Sequence, residues 1–132
     1  MRIVLDTNVL ISGLLNPNGP PGRIIDLTLS QRLKILYDDR ILAEYDDVIK
    51  RPHLKIEKEL ASTVLGFFRL SGEPVIASPL AEDLLPDPDD VIFIEVALSG
   101  KADGLITGNI KHFKNTPKEV NIFTPTEFIK IL

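Results

Sequence analysis

The sequence predicts an α/β fold built on a parallel sheet with helices on both faces. Short β-like runs alternate with helical patterns along the chain, the order that a parallel sheet with crossover helices requires. Polar residues follow two of the apolar runs, at Asp6-Thr7-Asn8 and Thr107-Gly108-Asn109, and ligands of open α/β sheets bind outside the carboxyl ends of the strands. A chain of 132 residues with 44% hydrophobic content makes one domain, 1–132, long enough for a single core and too short for two.

Strands are expected at residues 3–5, 33–37, 74–77, 104–107 and 120–123, and helices at 22–31, 41–50, 56–70, 89–99 and 124–131. The first run, Ile3-Val4-Leu5, stops at a carboxylate, Asp6. Residues 16–22 are a turn-rich loop expected to lie beside the site. In the helix at 41–50, Ile41, Leu42, Tyr45, Val48 and Ile49 form one apolar arc, with Glu44 on its edge and Asp46 and Asp47 pointing away. Arg51-Pro52 ends that helix and Ser71-Gly72 ends the next. The helix at 89–99 opens with Asp87 as a cap, Pro88, and Val91-Ile92-Phe93-Ile94, apolar on nearly every face. The last helix carries a capping box, Thr124-Pro125-Thr126-Glu127.

Cysteine is absent, so disulfides and thiolate metal sites are excluded, in keeping with a reducing compartment. The N-terminal apolar stretch is interrupted after three residues, which predicts neither a signal peptide nor a membrane span there, and a cytoplasmic location is expected. A net charge of −4 argues against a general nucleic-acid coat, because nonspecific affinity comes from phosphate neutralisation by Lys and Arg. A nucleic-acid role therefore needs a local basic rim or bound cations.

The acids point to those cations. Asp6 leaves the first strand, Glu44 sits at a core border where an unpaired carboxylate is unusual, and Asp90 heads a largely buried helix. Asp87 is the second choice there, since capping alone accounts for it. Crowded carboxylates raise one another's pKa, and a divalent cation resolves that conflict. Oxygen donors without Cys or a pair of His favour Mg²⁺ or Mn²⁺. Asn8, two residues after Asp6, stands where a haloacid-dehalogenase-like phosphatase requires a second aspartate, which removes that chemistry.

These residues resemble the PIN-domain nucleases, in particular the toxin components of prokaryotic toxin–antitoxin pairs. Val4-Leu5-Asp6-Thr7-Asn8-Val9-Leu10 looks like the opening motif and Glu44 like the helical acid. Asp87-Pro88-Asp89-Asp90 with Phe93 and Ala97 resembles the third block, and Ala102-Asp103-Gly104-Leu105-Ile106-Thr107-Gly108 the fourth. The resemblance implies a PIN-like three-layer α/β/α sandwich and a metal-dependent endoribonuclease, with an RNA substrate, an antitoxin partner and a homodimeric state. Carried over by position, Asp6, Glu44 and Asp90 are the catalytic, metal-binding acids, with Asp87, Asp103 and Asn109 as further candidates. Thr7, Asn8 and Thr107 support them. Asn109 departs from the family, whose members often carry aspartate there; the alternative it raises is a catalytically weakened RNA-binding or regulatory module.

Lys111, His112 and Lys114 are the expected RNA-contacting groups, and Arg51, His53 and Lys55 form a second basic group. Phe113 is expected to anchor its turn in the core. The helix at 56–70 carries apolar residues over more than one stripe, which leaves room for packing against a second subunit.

Overall fold

A computed structural model of the chain describes residues 1–80 and 85–132. Five strands form one sheet in the order β3-β2-β1-β4-β5, all parallel: β1 Arg2–Leu5, β2 Lys34–Tyr37, β3 Glu73–Pro74, β4 Gly104–Ile106 and β5 Ile122–Phe123. Between and after them run α1 Thr7–Leu15, α2 Pro20–Leu29, α3 Asp39–Ile49, α4 Lys58–Ser71, α5 Val91–Ser99 and α6 Pro125–Ile131. Right-handed crossovers tie the direction of travel along the sheet to the face that a helix occupies. The helices between β1 and β3 therefore cover one face, and α5, on the return to β4, covers the other.

The chain leaves β1 toward β2, whereas β4 pairs on the opposite side of β1. This reversal opens a crevice at the carboxyl ends of β1 and β4, where α/β sheets take their ligands. The core beneath it is made by Ile3, Val4 and Leu5 of β1, Leu105 and Ile106 of β4, and Phe93, Ile94 and Val96 of α5, all essentially inaccessible. None of the described helices is long and apolar enough to cross a membrane.

Two expectations are corrected. The sequence reading placed no helix between residues 7 and 15, yet α1 begins immediately after Asp6. It is concealed by Asn8 and Gly13, poor helix formers, and by the lack of any linker after the strand. Gly13 is required by close packing: a Cβ there would stand 2.8 Å from the carbonyl oxygen of Pro21. The nine residues of α1 carry the chain about 13 Å from Asp6, so the turn-rich loop lies at the far end of that helix and not beside the site.

The strand expected at 74–77 is reduced to Glu73–Pro74 with one more ladder bond, Val75 N–H to the Tyr37 carbonyl at 2.8 Å. Its apolar character misled, because Ile76 is 98% exposed. The capping box of α6 is present as read, with Glu127 N–H on Thr124 Oγ1 and Thr124 N–H on Glu127 Oε1. In α4, Ala61, Val64 and Phe68 enter the core while Leu60 and Leu70 stay exposed, so part of its apolar surface is left uncovered by the chain.

Candidate metal centre

Asp6 is only 6% exposed. Its backbone N–H still belongs to the sheet, donating to the Ile106 carbonyl at 2.9 Å, so β4 fixes where the side chain departs. Thr107, fully buried at the end of β4, donates from Oγ1 to Asp6 Oδ2 at 2.7 Å and accepts the Asn109 N–H at 3.0 Å. Burial pushes the Asp6 carboxyl above its ordinary range, the hydrogen bonds from Thr107 and the Thr7 N–H oppose that shift, and the charge of Glu44 adds to it. The threonine expected to support the site thus holds Asp6 directly.

Glu44 arrives from the middle of α3. Thr7 Oγ1 donates to Glu44 Oε2 at 2.8 Å, and the next residue, Tyr45, is completely buried and donates its hydroxyl to the Leu5 carbonyl. Together these contacts lock α3 against the β1–α1 junction. Burial, with the charges of Asp6 and Glu44 added, pushes the Tyr45 phenol well above its usual range. Tyr45 therefore stays a neutral donor.

Asp90 comes from the turn Pro88–Asp90 that leads into α5. Its Oδ2 is buried and accepts no hydrogen bond among the described residues, with His112 Nδ1 at 3.6 Å. Burial, together with the charges of Asp6 and Asp87, raises its pKa from 3.8 to about 6. Asp87 caps the turn, accepting the Asp89 N–H at 2.9 Å, and is itself exposed. Asn8 accepts the Gly108 N–H at 3.2 Å, tying the first turn of α1 to the loop after β4.

The structure brings Asp6, Glu44 and Asp90 to the same sheet end, with Thr7, Asn8, Thr107 and His112 around them. Asp103 is corrected: it precedes β4, and there it accepts the backbone N–H of Arg2 at 2.8 Å while its own N–H donates to the Arg2 carbonyl. That is the amino end of β1, opposite the site. Asn109 is exposed beside the crevice, as are Lys111, His112 and Lys114, whereas Phe113 is buried as expected. Arg51 and Lys55 line a separate groove of about 560 Å³ between α3 and α4.

The suitability of the acids for a metal can be judged from the side chains. Among the described residues, no group of three or more His, Asp or Glu closes on a common point as the side chains stand. Their chemistry nevertheless fits a hard cation. The donors are carboxylate oxygens, one of them, Asp90 Oδ2, is buried without a hydrogen bond among the described residues, and the charges of Asp6, Asp87 and Glu44 act on Asp90 as like charges.

The profile of the PIN domain matches residues 2–111, a span that contains all three acids. The chain belongs to the PIN-domain family. This PIN domain is 33% identical over 144 aligned positions to an uncharacterized protein of Methanocaldococcus jannaschii, MJ1680, with 98% of the chain and 90% of the relative covered. Its fold is similar to the solved structure of VapBC2 from Rickettsia felis bound to a DNA fragment from their promoter. There the TM-score is 0.61 at 21% identity, over 94% of this chain and 98% of the other. It is also similar to FitAB bound to an IR36 DNA fragment, with a TM-score of 0.60 at 17% identity, over 93% and 94% of the two chains.

The sequence reading of this PIN domain missed Tyr45 as a brace and Glu95, a 5% exposed acid on α5. Glu95 had a visible signal: it is the one charged residue in Val91-Ile92-Phe93-Ile94-Glu95-Val96-Ala97, where burial demands a partner.

Proposed function

We propose that this PIN domain is a metal-dependent endoribonuclease in which Asp6, Glu44 and Asp90 would hold Mg²⁺ or Mn²⁺. The observation that carries the reading is that three acids from separate segments reach one sheet end, with Asp90 Oδ2 buried and without a hydrogen-bond partner among the described residues. A cation bound there supplies phosphate neutralisation and a bound water of lowered pKa. Thr107 and Thr7 fix the carboxylates of Asp6 and Glu44. Lys111, His112 and Lys114 lie exposed beside Asn109, where they would contact the RNA phosphates.

The test is cleavage of a mixed RNA pool with Mn²⁺. Wild type should cut, and Asp6→Asn should not while keeping its circular dichroism spectrum; equal rates for the two proteins would remove the proposal. A second reading, a weakened module that binds RNA without cutting, is favoured by Asn109 and by the open spacing of the acids. Activity that appears only in Asn109→Asp would establish it.

The toxin role rests on the resemblance stated above and on the likeness to VapBC2 and FitAB. It implies a protein antitoxin, a homodimer and residence in the cytoplasm. Exposed Leu60 and Leu70 on α4 support a second subunit, and light scattering coupled to size exclusion should report twice the 14.7 kDa chain mass. A monomer at micromolar concentration removes the dimer.

A further inference from the structure

We propose that Arg40 and Glu95 are positioning residues that set the spacing between Glu44 and Asp90, a role resting on the reading of those acids as a metal site. Glu95 lies inside an otherwise apolar stretch of α5, its side chain 7% exposed. Its Oε1 accepts from Arg40 Nη1 at 2.7 Å and its Oε2 from the Leu80 N–H at 2.6 Å. Arg40 also donates from Nε to Asp38 Oδ2 at 2.9 Å, and Asp38 caps α3 by accepting the Ile41 N–H at 3.0 Å. One guanidinium thereby joins the end of β2, the first turn of α3 and the middle of α5.

Stability alone does not account for the pair. The Arg40 side chain is 46% exposed, so solvent screening limits what its half of the pair contributes. A buried ion pair can often be replaced as a whole by apolar residues without loss. Placement is the informative feature: Arg40 lies one turn before Glu44 on the same face of α3, and Glu95 lies five residues after Asp90 at the head of α5. Asp6 and Glu44 both act on Asp90 as like charges. Helices that bring such charges together are pushed apart, and the Arg40–Glu95 pair opposes that separation one turn along α3 from Glu44 and five residues along α5 from Asp90. Groups bonded directly to metal ligands commonly affect metal affinity about 10- to 100-fold when removed, and this pair, one step further out, should act at the low end of that range.

The experiment measures the Mn²⁺ dissociation constant by calorimetry and the metal-free melting temperature. It uses full-length wild type, Arg40→Gln, Glu95→Gln, Arg40→Lys, Asp6→Asn and Tyr37→Phe. The last variant removes a 2.8 Å bond from Tyr37 to the Arg69 carbonyl on α4 and serves as destabilisation elsewhere. Arg40→Gln and Glu95→Gln should bind Mn²⁺ about 10-fold more weakly, Arg40→Lys should recover part of the loss, and Tyr37→Phe should melt earlier at unchanged affinity. Wild-type affinity in Arg40→Gln and Glu95→Gln overturns the proposal, as does an affinity loss that follows melting temperature through every variant, Tyr37→Phe included. Binding that Asp6→Asn abolishes but Arg40→Gln preserves overturns the positioning role alone. No Mn²⁺ binding by wild type overturns the metal reading and the positioning role together.

Discussion

The two ends of strand β1 treat charge in opposite ways. At the amino end, the Arg2 guanidinium donates to both carboxylate oxygens of Glu73 and to the carbonyls of Gly100 and Lys101, while its backbone N–H is taken by Asp103. The hydrogen bond from Arg2 holds the Glu73 carboxyl below its usual range. At the carboxyl end, four residues later, the charges of Asp6, Asp87 and Glu44 act on Asp90, which has one imidazole, His112, at 3.6 Å, and both Asp6 and Asp90 are raised. One end is matched for stability. The other is left frustrated, the arrangement expected where a cation is to be taken up.

The largest effect should come from Asp6→Asn. Removing one carboxylate from the frustrated end should lower Mn²⁺-dependent RNA cleavage by about a hundredfold or more, read by single-turnover gel assays. The thermal midpoint of the metal-free protein should hold or rise, because an acid pushed up by burial is a cost to the folded state. A variant that loses activity and folded structure together would make Asp6 a structural acid like those at the opposite end.

Next comes the pH dependence of the metal-free protein. The Asp90 pKa is about 6 in the fold against 3.8 ordinarily, so the folded state binds the proton more tightly and stability falls as pH rises from near 4 to near 6. Asp90→Asn removes that loss: its melting temperature should exceed that of wild type above pH 6 and approach it toward pH 4. Parallel curves for the two proteins would mean that the carboxylate is not crowded. Glu73→Gln at the amino end should behave in the opposite sense, with its destabilisation fading as acid protonates wild-type Glu73.

Only the acidic half of this contrast was legible in the sequence, and the parts that were not have definite causes. Asp6, Glu44 and Asp90 could be selected because each interrupts or borders an apolar pattern that fixes its direction. Asp103 could not be placed correctly, since a strand as short as Gly104–Ile106 puts residues only four apart, Asp103 and Thr107, at opposite ends of the sheet. Helix α1 was hidden by Asn8 and Gly13, and the side-chain hydrogen bonds of Thr7, Tyr45 and Thr107 depend on tertiary contacts that no local spacing encodes. Glu95 carries its signal in the sequence, because a lone acid in an apolar helix announces a cation elsewhere in the chain, although only the fold shows that it is Arg40.

Arg2→Met sharpens the comparison from the side of stability. The Arg2–Glu73 pair is more than a third exposed on both partners, so solvent screening limits its worth to about 1 kcal/mol or less, and the hydrogen bonds to Gly100 and Lys101 add a comparable amount. Urea unfolding should show a modest loss, with RNA cleavage per folded molecule unchanged; a fall in activity would couple the two ends of β1.

The smallest effect is expected on the rim. Lys111 and Lys114 are exposed beside Asn109 and touch none of the three acids, so Lys111→Gln with Lys114→Gln should raise KM for RNA by a few-fold and leave kcat near wild type. Each lost phosphate contact lowers the dependence of log affinity on log salt by about 0.7 for a single strand, so the double variant should bind RNA with a slope shallower by about 1.4. This separates two ways in which a chain of net charge −4 can hold RNA. If the rim supplies the attraction, the slope flattens as stated. If the slope is unchanged in the double variant but collapses when Mn²⁺ is withheld, the attraction resides at the frustrated acids, and the lysines are ordinary solvated surface.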